Sequence, residues 1–135
     1  MTYIPEAVRR KVVERAAGRC EYCRWHQDNT FYTHEIDHIY AEKHGGQTVE
    51  VNLCFACFDC NRFKGSDLCS LDAVTGQIVS LFHPRRDQWD DHFQMQTKGR
   101  IMLLTPTARV TGQLLNFNDT EFVAERARLL AIGIY

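Results

Sequence analysis

Two Cys-x2-Cys pairs, Cys20 with Cys23 and Cys57 with Cys60, constrain this chain more than any other feature of its sequence. Together they supply four soft thiolates to one tetrahedral ion, and a closed all-thiolate set with no open position holds zinc for structure rather than for catalysis. Such a site ties the end of an N-terminal segment to the stretch around residue 57. The competing readings are disulfides, which a reducing compartment disfavours, and a different second pair, because Cys54 also stands in Cys-x2-Cys spacing with Cys57. The pattern that follows, "CNRFKG", favours Cys57 with Cys60. Cys54 and Cys69 then read as small buried hydrophobes without a ligand role.

With 135 residues, 44% of them hydrophobic and 24% charged, the chain is expected to fold as one soluble globular domain. "MTYIPEAVRRK" lacks the apolar stretch of a signal peptide, and no run approaches the roughly 18 apolar residues of a membrane span, so a cytoplasmic location without a membrane partner is expected. Sixteen Lys and Arg against seventeen Asp and Glu leave a net charge of −1, which excludes a globally basic nucleic-acid binder. Contact with phosphate has to come from local clusters, Arg62 with Lys64 or Arg85 with Arg86, and from bound cations. Oligomeric state is left open.

"PEAVRRKVVERAAG" predicts a helix: Pro5 opens it, Ala7, Val8, Val12, Val13 and Ala16 recur at helical spacing, and Gly18 stops it. "TFYTHEID" predicts a short strand ending at Asp37 and His38, and "VEVNLC" a second short strand or extended segment. A short helix follows around Asp59 to Lys64, closed by Gly65. The C-terminal half reads as a cover: a hairpin in "LDAVTGQIVSLF" turning at Thr75 and Gly76, then two helices. The first has Thr105 as cap and Pro106 at its first position; the second has Asn118 as cap with Glu121 three residues on.

Between the cysteine pairs lie "IDHI", "GG" and "NL", and "CNRFKG" begins at the last cysteine. In these pieces, their order and their spacing, the chain resembles the HNH endonucleases, whose core is the ββα-metal or His-Me finger unit. The resemblance runs from about Cys20 to Gly65. It implies an α+β fold with a ββα-metal core and a structural zinc, flanked by an N-terminal helix and a C-terminal hairpin and helices. Residues 1–135 then form a single nuclease domain, with a core of about 20–66 and an extension of about 67–135.

The resemblance also implies roles. His38 is the general base that takes a proton from the attacking water; Asp37 and Asn61 are the protein ligands of a catalytic Mg2+ or Mn2+; Asn52 pins the loop between the strands and so orients His38. Asn61 makes this chain an H-N-N variant, suited to hard, oxygen-loving cations. The implied activity is metal-dependent hydrolysis of phosphodiester bonds in DNA, with Arg62, Lys64, Arg85 and Arg86 as candidate substrate contacts. A non-catalytic zinc-ribbon module that binds nucleic acid, and an RNA-directed nuclease, are the alternatives. His34 faces the site or is an ordinary strand residue, and His44 reads as loop. "LFHPRRDQWDDHF" mixes cationic and aromatic groups as a strand-gripping loop does, but its acids oppose phosphate, and Trp89 with Phe93 at helical spacing reads equally as core.

Overall fold

The N-terminal apolar spacing forms helix α1, Glu6–Ala16, in the computed structural model, which describes residues 2–135. Ala17 leaves the helix in the left-handed region at φ 55, and Gly18 follows at φ 73. Gly18 is required for space as well as for conformation: a Cβ there would stand 2.7 Å from His26 Nε2. The chain therefore turns sharply from α1 into the first cysteine pair.

Strand β1, Glu35–His38, pairs antiparallel with β2, Leu53–Ala56, setting Ile36 opposite Phe55, Asp37 opposite Cys54 and His38 opposite Leu53. Alternation along a strand gives the hairpin two faces. On one, Leu53 and Phe55 pack with Ile4, Val12 and Ala16, and Ile36 closes against them, so α1 is held by apolar burial. On the other, Asp37 and Cys54 meet Tyr22. The aromatic and β-branched run before Glu35 stays outside the strand, and Glu50–Asn52 is a short 3-10 turn leading into β2. Helix α2, Phe58–Lys64, follows, capped by Cys57 and ended by Gly65 at φ 53. The class is α+β, with β1, β2 and α2 as a ββα unit beside the clustered cysteines.

The chain divides into two compact units. The first holds the residues up to Ser66 and takes back His83–Arg86; the second holds Asp67–Phe82 and the residues from Asp87 onward. In the second, β3, Cys69–Leu71, pairs with β4, Ile78–Ser80, around a turn in which Asp72 accepts from Val74 N and Thr75 Oγ1 and Gly76 sits at φ 74. Cys69 is exposed on this hairpin, so the expectation of a buried hydrophobe is wrong for it and holds for Cys54. A short helix α3, Trp89–His92, and a hairpin of β5, Phe93–Met95, with β6, Ile101–Leu103, come next. Three-residue strands are too short to show a period, and the sequence reading missed this hairpin. Helix α4, Pro106–Leu114, has its expected Thr105 cap.

Helix α5, Thr120–Ala131, is capped by Asp119 and not by Asn118. The Asn118 amide instead accepts from Ile101 N and donates to Ile101 O. An amide offers both a donor and an acceptor to a strand edge, whereas a carboxylate, acceptor only, suits a helix N-terminus. The core of this unit is aromatic, with Phe93 in ring contact with Phe82, Trp89 and Phe117.

Candidate functional site

The sulfurs of Cys20, Cys23, Cys57 and Cys60 lie within 4.8 Å of one another, all buried, and Cys54 is outside the group. Four sulfurs about 2.3 Å from a tetrahedral zinc stand about 3.8 Å apart, and Cys23 Sγ to Cys57 Sγ is 3.7 Å. The donor set and its size thus fit structural zinc. Backbone amides back the sulfurs, Cys23 N to Cys20 Sγ at 3.4 Å and Cys60 N to Cys57 Sγ at 3.3 Å. Against burial, hydrogen bonds from the other three thiols hold Cys20 well below the ordinary thiol range, while burial and the Cys20 thiol push Cys60 well above it. A divalent cation resolves that conflict by letting all four ionise.

Beside this clip lies a cleft of about 460 Å³ whose walls include Glu35, Asp37, His38, Glu42 and Asn61. Asp37 is 8% exposed, and burial raises its pKa although Lys64 Nζ stands 3.1 Å from Oδ2 and the Tyr22 hydroxyl donates to the same oxygen at 3.3 Å. These contacts all fall on Oδ2, which leaves Oδ1 for the cleft. Asn61 donates its amide nitrogen to Glu35, which leaves Oδ1 as the atom it can offer a cation. Asp37, Asn61 and Glu35 all line the cleft and offer it oxygen atoms, the donors hard cations take. Glu35 is a site residue the sequence reading missed; its position two residues before Asp37, on the same strand face, was the available signal.

His38 ends β1, and its Nε2 lies 2.9 Å from Thr48 Oγ1. The Thr48 hydroxyl also reaches Glu42 Oε1 at 3.4 Å. A carboxylate only accepts, so where Thr48 donates to Glu42 it accepts from His38 Nε2–H, the tautomer that leaves the lone pair on Nδ1. Chiefly through the Thr2 hydroxyl, the pKa of Glu42 is lowered from its ordinary value. Neither Thr48 nor Glu42 was singled out from sequence. Asn52 accepts from Tyr40 N at 2.9 Å and donates to Tyr40 O at 3.0 Å and Gln47 O at 2.9 Å, pinning the loop that carries Thr48. A Cβ on Gly46 would fall 1.7 Å from Tyr40 O, so this loop closes only around glycine.

Residues 20–67 match the HNH endonuclease family. The matched segment contains both cysteine pairs, β1, β2 and α2. Over 88 residues the chain is 28% identical to the Septu protein PtuA of Bacillus mycoides (strain KBAB4); the alignment covers 58% of this chain and 12% of that protein's length. No solved structure matches the chain. Among the described residues no helix is long and apolar enough to cross a membrane.

The four expected substrate contacts are scattered around the HNH segment. Arg62 is exposed on α2. Lys64 is 2% exposed, its Nζ bound to Asp37 and, at 3.2 Å, to the carbonyl of His38, so it is not part of a solvated helix face. Arg85 pairs with Glu21, and burial together with Arg15 lowers its pKa to about 10. Glu21 in turn accepts from Phe55 N at 2.8 Å, so this ion pair fastens the first cysteine pair to β2. Arg86 is exposed and donates to the Tyr40 hydroxyl at 3.1 Å. His34 is buried with Nε2 2.7 Å from Trp25 O, and exposed His44 holds Ser66 O at 3.1 Å. In the 81–93 segment, Trp89 and Phe93 are core and His92 bonds Thr105.

Proposed function

We propose that the chain is a metal-dependent endonuclease that hydrolyses phosphodiester bonds in DNA. The observation that carries this reading is the convergence of Asp37, His38 and Asn61 on one cleft, with His38 oriented from behind by Thr48. A divalent cation held by Asp37 and Asn61, Mg2+ or Mn2+, supplies charge neutralisation at the phosphate. His38 takes the proton of the attacking water at Nδ1, since its Nε2–H is committed to Thr48. Asn52 keeps the loop closed so that this orientation persists. Lys64 holds Asp37 by one oxygen and β1 by the His38 carbonyl, fixing α2 against the strand. Of the four expected substrate contacts only Arg86 is exposed and clear of the Phe58 ring, and exposed Arg9 lines the cleft itself, so these two are the cations best placed to meet phosphate.

The cysteine cluster acts as scaffold: it immobilises the helix bearing Asn61, and misplacement of about 1 Å in such a site costs on the order of 10²-fold in rate. Incubation of the zinc-loaded protein with supercoiled plasmid tests the reading. Nicked or linear product with Mg2+ or Mn2+, lost in His38→Ala, is the expected result, and RNA cut in preference to plasmid would move the substrate to RNA. One observation favours the zinc-ribbon binding module as a second reading: Lys64 already satisfies one Asp37 oxygen. On that reading His38→Ala and the parent protein behave alike with plasmid.

A further inference from the structure

Immediately before β1 the chain exposes aromatic rings where polar residues are the norm. Phe31 is 94% exposed and Tyr32 is 53% exposed. The Tyr32 ring is stacked on Phe58 of α2, with centroids 4.3 Å apart and planes 21° apart, and Phe31 stands edge-on to Tyr32 at 5.0 Å. The Arg62 guanidinium lies over the same Phe58 ring, 4.1 Å from its centroid. The four side chains thus run in contact order Phe31, Tyr32, Phe58 and Arg62, a column with an exposed ring at one end and a cation at the other.

A single exposed phenylalanine needs no explanation, but two neighbouring exposed rings in contact with a third ring and an arginine do. Every nucleobase has a π-face, and aromatic columns with an arginine are surfaces on which unpaired bases stack. Phe58 precedes Asn61 by three residues on α2, less than one helical turn and a rise of about 4.5 Å, so the column stands beside a cleft residue. Asp59 on α2 and Glu35 at the start of β1 put negative charge near the column, which disfavours a grip on the phosphate backbone there and leaves base stacking as what the column itself offers.

We propose that Phe31, Tyr32, Phe58 and Arg62 form a stacking platform for unpaired DNA bases next to the phosphate held at the Asp37, His38 and Asn61 cleft. The placement of that phosphate rests on the nuclease reading above. Bases inside an intact duplex have no free faces, so the platform selects single-stranded or locally opened DNA.

The test measures binding apart from cleavage. Zinc-loaded His38→Ala protein in Mg2+ is titrated, by fluorescence anisotropy, against a labelled 12-nucleotide DNA strand, its duplex and the RNA of the same sequence. The strand should bind more tightly than the duplex. Adding Phe31→Ala with Tyr32→Ala should weaken strand binding on the order of tenfold or more and leave duplex binding unchanged. Phe31→Trp with Tyr32→Trp should restore it, whereas the corresponding pair of leucines should not. Zinc content serves as the folding control, and Phe31 is exposed enough that its loss leaves no cavity. Alanine variants that bind the strand as tightly as the parent, leucines that substitute for aromatics, or RNA bound more tightly than DNA would each overturn the platform. Plasmid cleavage by the same platform variants with His38 intact separates the two readings. Cleavage by the parent with no platform effect removes the platform alone; a working platform in a parent that cuts nothing removes the nuclease alone.

Discussion

Asp37 in the first unit and Asp72 in the second are both buried carboxylates facing a cation, and their acidities move in opposite directions. Asp72 takes two parallel bonds from Arg109, Nε to Oδ1 at 3.0 Å and a terminal nitrogen to Oδ2 at 2.9 Å, and adds Thr75 and Val74 as donors. Every one of these favours the charged form, and Asp72 lies well below the usual carboxylate range. Asp37 has a lysine's point charge and one phenol on a single oxygen, and burial outweighs them. A carboxylate whose lone pairs are all used serves structure. One kept buried and incompletely satisfied is poised for a further ligand, which is how functional groups differ from structural ones at equal burial.

The largest test of this contrast is metal removal. Elemental analysis should find about one zinc per chain, and strong chelation should unfold the first unit, because binding free energy at such a site is folding free energy. Hydrogen exchange should show protection lost across β1 and β2 before β5 and β6. Equal loss in both would mean the second unit also depends on the metal. Cys57→Ser should reproduce the effect of chelation.

At the cleft, His38→Ala should slow plasmid cleavage on the order of 10²- to 10⁴-fold with zinc content unchanged. Asp37→Ala and Asn61→Ala should be partly rescued by raising Mg2+ or Mn2+, and His38→Ala should not, since added cation supplies no base. A smaller loss, about tenfold to a hundredfold, is expected of Thr48→Val, in line with groups that orient a site residue from behind. Its cleavage rate compared with the parent decides whether the hydroxyl orients His38 or merely neighbours it.

Acid separates the two carboxylates further. Asp72 has a folded pKa below its unfolded value of about 3.9, so the stability it contributes is present above that pH and is lost as pH falls through the folded value. Asp37 is raised, so acid relieves its burial instead of removing a stabilising charge. Arg109→Met should therefore shift acid unfolding of the second unit to higher pH, followed by near-ultraviolet circular dichroism, and an unmoved midpoint would show that the pair contributes nothing. Smallest of all is Cys69→Ser: its thermal midpoint should stay with the parent's because the thiol is exposed.

Features set by rules that act over a few residues were legible without coordinates. The α1 helix with its glycine stop, the Thr105 cap and the Thr75–Gly76 turn depend on apolar period or backbone conformation within a short window, and the four-cysteine set on ligand spacing within two such windows, while the ββα order came with the HNH resemblance. The placing of Asn52 at the loop was available from the HNH resemblance alone. What the window could not contain was the choice of partner. Lys64 turns inward to Asp37 and His38, Arg85 to Glu21, Thr48 to His38, and Asn118 turns to Ile101. In each case the partner lies on another element of the chain. Only when tertiary packing excludes water does a long charged or amide side chain have to settle on one partner, because in the open it is satisfied equally well by solvent.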